Sequence, residues 1–214
     1  MQSFLELFLQ QTITFFAIID PIGASAVMLS LMHLNVTKKE LSKVAYKSTI
    51  TIIIAFFVVL IGGDMILKMF GINENSLKVI GGIVLILMAL TMIQGSKEAD
   101  KKINKDEENE IKEHEDLSVI PIAIPITFGT GLFTTIIILK HQLESFADMF
   151  AMSMAFLVNA FLIYISFKNS IYIKKYLGLT GQNIITKLMG LIVGAIAVQF
   201  IVSGLIELSK FYLI

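Results

Sequence analysis

Asp20 is the acid set deepest within an apolar stretch, and a proline follows it at once: Ile18-Ile19-Asp20-Pro21-Ile22-Gly23-Ala24-Ser25. Placing a carboxylate inside a bilayer costs about 2.5–3.5 kcal/mol on insertion scales. Asp20 must therefore be protonated, paired or turned toward water. Two roles are open to it. One is a coupling-ion or proton site, or a contact for a substrate ammonium. The other is the cap of a new helix, where an Asp side chain accepts orphan N–H groups. Pro21 has no N–H and disfavours helix at Asp20, while Gly23 tolerates conformations closed to other residues. A second stretch repeats the pattern with Ile124-Pro125-Ile126-Thr127-Phe128-Gly129-Thr130-Gly131. A simple kink is the plainer reading of either proline; the glycine that follows favours a true break. A broken helix within a membrane must bury its freed backbone groups in protein or a wet cavity. The half-helices beginning near Ala24, Ser25 and Ala26, and near Thr130, Gly131 and Leu132, would present N–H groups and a positive dipole end to a carboxylate. Asn159 and Gln199 carry amides within apolar segments, where each either lines a site or joins helices.

Other chemistries are excluded or disfavoured by what the chain lacks. It has no cysteine, which removes disulfides, thiolate metal sites and cysteine nucleophiles. It has no HExxH, no G-x-S-x-G and no P-loop. Asp20 and Asp64 are candidates for an aspartyl pair, but a dyad needs carboxylates close enough to share a proton. Asp64 falls near a helix end and Asp20 near mid-span, so no enzyme and no cofactor is expected. A net charge of zero disfavours nucleic acid as a partner.

These residues need elements to hold them, and the elements are membrane spans. Of the 214 residues, 56% are hydrophobic and 16% charged, and mean hydropathy is +0.81. A soluble domain carries about 25% charged residues, so most of this surface is expected to face lipid. The first eleven residues hold neither Lys nor Arg, so the first apolar segment reads as mature structure rather than a signal peptide. Six stretches approach the ~20 apolar residues of a transmembrane helix: Phe4 to Leu34, Val44 to Leu67, Leu77 to Ile93, Leu117 to Leu139, Phe146 to Phe167 and Ile184 to Leu208. Asn35 to Lys43 and Gly71 to Ser76 read as short polar loops. Residues 96–116 form a charged linker with five lysines and nine acids. It divides the chain into a three-helix repeat over 1–95 and a second over 117–214. The loops after spans one, three and five hold 13 of the 17 lysines, and there is no arginine. That excess marks the cytoplasmic side and puts both termini outside a cytoplasmic (inner) membrane.

The two halves echo each other. Gly71-Ile72-Asn73 and Gly178-Leu179-Thr180 precede spans three and six. Lys78-Val79-Ile80-Gly81 and Lys187-Leu188-Met189-Gly190 open them, and Pro21 and Pro125 interrupt spans one and four, with offsets of 107, 109 and 104 residues. Three spans per half force the second copy to cross in the opposite sense. The expected fold class is thus all-α: six transmembrane helices as two inverted three-helix repeats, with helices one and four discontinuous and a solute site between them. Such a carrier moves a small solute, with H+ or Na+ as a candidate coupling ion. The alternative is a channel. The glycine-rich faces of spans three and six are candidate dimer contacts.

Ala17 to Gly23, Ile124-Pro125 with Gly129-Thr130-Gly131, and Gly190 to Gln199 resemble the MarC family over essentially the whole chain. The resemblance implies a six-helix inner-membrane carrier of small neutral amino acids such as glycine, alanine or serine, some members acting as exporters. Asp20, Pro21, Gly23, Pro125, Gly129, Gly131 and Gln199 match the family pattern. Ala24, Ala26 and Thr130 depart from it, where members often have Asn, Pro and Pro. The missing Asn removes one polar contact at the first break.

Overall fold

The structure, a computed structural model, describes residues 3–32, 36–95, 122–124 and 127–212. Every regular element among them is helical: α1 (Phe4–Ile19), α2 (Pro21–Leu31), α3 (Lys38–Met69), α4 (Glu74–Gln94), α5 (Thr130–Lys140), α6 (Phe146–Lys168) and α7 (Ser170–Tyr212). Five helical stretches are long and apolar enough to cross a membrane, with α1 and α2 together forming the first, and α5 is a shorter apolar helix. The charged linker and Pro125 lie outside the described residues.

Side-chain periodicity explains which face looks outward. On α3, Ile54, Val58, Ile61 and Met65 recur at helical spacing and are 58–77% exposed. Water would not tolerate so continuous an apolar stripe, whereas lipid does. The opposite face of α3 is buried. Phe56 stacks on Phe156 of α6 with ring centroids 4.0 Å apart, and Phe15 of α1 meets both rings edge-on. Such aromatic contacts add about 0.5–1.5 kcal/mol each beyond area burial, and they fix the end of α1 just before Asp20.

Gly82 of α4 and Gly190 of α7 serve packing between these two helices. A Cβ on Gly82 would lie 2.7 Å from the Ala197 carbonyl oxygen, and one on Gly190 would lie 2.8 Å from Met92 Cβ. The faces expected to meet a second copy are therefore largely occupied by each other. Lys78 and Glu207 add a 2.8 Å ion pair between these helices.

Two boundaries differ from those drawn by hydropathy. The loop expected over Asn35 to Lys43 is mostly helix. Thr37 caps α3, and Thr37 and Glu40 exchange bonds as a capping box, which lets a polar first turn begin six residues before Val44. The last helix also starts early. Gly178, with φ of 62°, breaks α7, and helix resumes beyond it. Residues 179–183, expected as loop, are helical.

Candidate functional site

The first break is built around the backbone of Asp20, which adopts a left-handed conformation with φ 43° and ψ 70°. Its N–H still closes α1 on the Phe16 carbonyl, while its side chain opens α2. Asp20 Oδ1 accepts the Gly23 N–H at 3.1 Å, and the Asp20 carbonyl accepts the Ala24 N–H at 2.8 Å. Pro21 takes the first helical position, where a missing N–H costs nothing. Gly23 is required by the same cap: a Cβ there would lie 2.2 Å from Asp20 Oδ2 and 2.6 Å from Thr186 Oγ1. The spacing Asp-Pro-x-Gly is thus a self-capped helix start. Asp20 is the cap, one of its two roles foreseen in the sequence. The N–H groups of Gly23 and Ala24 are thus occupied by Asp20 itself.

The second break is not closed that way. Before it the Phe128 N–H reaches the Ala123 carbonyl at 2.8 Å and the Thr127 hydroxyl donates to the Ile122 carbonyl at 2.8 Å. Gly129 then runs extended and precedes α5 without any side-chain cap. The first bond into this helix joins the Phe133 N–H to the Gly129 carbonyl. The N–H groups of Thr130, Gly131 and Leu132 precede that bond and keep the positive end of the helix dipole. Asp20 and Gly129 are 109 residues apart, the separation of Lys78 and Lys187.

Each break opens on a cavity. One, of about 280 Å³, is lined by Asp20, Gly23 and Ala24 with Gln182, Asn183 and Thr186. The other, of about 450 Å³, is lined by Thr127, Gly129, Thr130 and Gly131 with Ile18 of α1. Met88 and Thr91 of α4 border both, so one turn of α4 stands between the two breaks.

Several expected site residues line neither cavity. Ser25 is buried and returns its hydroxyl to the Ile22 carbonyl at 2.7 Å. Pro21 is buried in the helix start. Asn159 donates to the carbonyls of Thr12 and Ala155 at 3.0 and 2.9 Å, the interhelical joint that an amide in a span often makes. Gln199 is exposed on α7 and lines neither cavity. Asp64 pairs with Lys140 and with His141, which also meets Glu74 at 2.7 Å; it does not line the Asp20 cavity. Gln182 and Asn183 precede the hydropathic start of the last span at Ile184, and Thr186 lies in its first turn with no motif around it. The glycine at 178 was the available signal, since a helix starting there carries residues 182 and 186 on one face.

The fold defines a polytopic helical membrane protein whose first helix is interrupted at Asp20, with two cavities that share Met88 and Thr91. The chain belongs to the MarC family: the model for the MarC family integral membrane protein matches residues 5–209. It is 34% identical to a UPF0056 membrane protein of Aquifex aeolicus, over 98% of this chain and 97% of the relative. A UPF0056 membrane protein of Methanocaldococcus jannaschii is 32% identical over 94% of this chain and 97% of its own. The UPF0056 membrane protein YhcE of Escherichia coli is 30% identical over 89% and 87%. No solved structure matches the chain significantly.

Proposed function

We propose that the protein is a secondary carrier of small neutral amino acids in the cytoplasmic membrane, with both termini outside. The observation that carries this reading is the meeting of two helix breaks, each facing a cavity, across Met88 and Thr91. Interrupted helices at a repeat interface are the usual site of secondary transporters. The substrate carboxylate is assigned to the uncapped start of α5, where no side chain competes for the N–H groups. Asp20 supplies the negative charge for an ammonium or a coupling H+ or Na+.

The packing pattern supports two inverted three-helix repeats. The first span, α1 with α2, packs on α6 and α7, and α5 packs correspondingly on α3 and α4. The remaining principal pairs, α3 with α6 and α4 with α7, join helices of matching rank in the two halves. Gly71 and Gly178 also share a positive φ, 64° and 62°. The lysine excess after spans one, three and five supports the orientation.

Uptake of glycine, alanine and serine into proteoliposomes tests the proposal. Asp20→Asn retains a competent cap, because Asn and Asp are similarly good at that position, but removes the charge. Its uptake is expected to fall at least tenfold or to lose its dependence on pH or Na+. Unchanged rate and unchanged ion dependence in this variant exclude the charge role.

A further inference from the structure

The cavity beside Asp20 holds a polar group that the carrier reading leaves unused. Gln182 is 2% exposed, and among the described residues neither its Oε1 nor its Nε2 has a hydrogen-bond partner. Its side chain lines the cavity with Asp20 and Thr186. A primary amide brings an acceptor oxygen and two donor hydrogens, and folded proteins rarely leave such groups buried and unpaired. An apolar side chain of the same shape would be cheaper at this place unless something else completes the amide.

The neighbouring groups indicate what that is. Asp20 Oδ1 is engaged by the Gly23 N–H, and the Thr186 hydroxyl is a hydrogen-bond partner of the same carboxylate. Among the described residues the cavity therefore joins one carboxylate to an amide carbonyl and an amide NH2 that have no partner. A carboxylate with an amide oxygen suits a primary ammonium, whose three hydrogens need acceptors. The amide NH2 suits an acceptor on the same small molecule. At about 280 Å³ the space lies just below the ~300–1,000 Å³ of drug-sized pockets, enough for a solute of amino-acid size.

We propose that Gln182 is a ligand-contact residue whose amide, together with Asp20, recognises the ammonium end of a small amino acid. This rests on the carrier reading and adds the residue that selects a primary ammonium. The test uses the purified full chain and the isosteric variant Gln182→Met, with glycine, methylamine and acetate as probes. Binding is measured by equilibrium titration, and stability by thermal unfolding without ligand. Gln182→Met is expected to bind glycine and methylamine at least tenfold more weakly and to bind acetate unchanged. Its unfolding temperature without ligand should equal or exceed that of the wild type, because no existing bond is removed. A lower unfolding temperature, or unchanged glycine and methylamine affinity, overturns the assignment. Independently of any variant, dimethylglycine should bind the wild type at least tenfold more weakly than glycine, and equal binding overturns the ammonium role. A wild type that binds methylamine but no neutral amino acid overturns the carrier reading alone. One that binds neither overturns both.

Discussion

A methyl group on Gly23 would collide with Asp20 Oδ2 and with Thr186 Oγ1, so a single glycine sustains both the cap and the fit of α2 against α7. Gly23→Ala should lower stability by about 1–3 kcal/mol, the usual range for overpacking. Asp20→Ala should cost about 1 kcal/mol through loss of the cap, whereas Asp20→Asn should cost little. Thermal unfolding in detergent ranks the three variants. An Asp20→Asn loss as large as that of Asp20→Ala would mean that charge, not capping geometry, holds the break. The identity of the break was legible at this scale, because Asp, Pro and Gly each have restricted backbone chemistry. The partnership of Asp20 with Thr186 was not, since it joins residues 166 positions apart and nothing in the spacing announces it.

Between helices, α4 and α7 approach as closely as Gly82 allows, and there a Cβ would meet the Ile201 side chain and also the Ala197 carbonyl, which cannot rotate away. Gly82→Ala should destabilise by about 1–3 kcal/mol. Gly62 offers the contrast, for a Cβ there meets nothing within 4 Å. Gly62→Ala should stabilise α3 by roughly 0.5–1 kcal/mol, the cost of glycine within a helix. Equal effects from the two substitutions, measured by thermal unfolding, would remove the close approach as the reason for Gly82. Apolar length located α4 and α6 to within a few residues. It failed at the starts of α3 and of the second part of α7, where the first turns are polar. Lys38-Lys39-Glu40 and Gln182-Asn183 look like loops to hydropathy, yet caps and a left-handed glycine make them helix.

For the molecule as a whole, the proposed orientation rests on the distribution of lysine, and the cysteine-free chain makes it simple to test. A single cysteine at Ser96, in the charged linker, should react with a membrane-impermeant maleimide only after the cytoplasmic face is opened. One at Phe70, which is 75% exposed, should react from outside in intact cells. The reverse pattern would invert the proposed topology. The outward apolar stripe on α3 and the inward aromatic cluster show why a membrane protein could be recognised from composition alone. The divided cavity could not, because Met88 and Thr91 become its wall only when both breaks have folded around α4.

If the halves descend from one duplicated segment, their helix starts have diverged in a telling way. The first copy keeps its own acid, Asp20, and the second has Gly129 in its place. A solute carboxylate docked on α5 would then stand in for a residue that the second copy does not encode. The cargo would act as a temporary amino acid of the fold, and each transport cycle would complete and dissolve the likeness between the two halves.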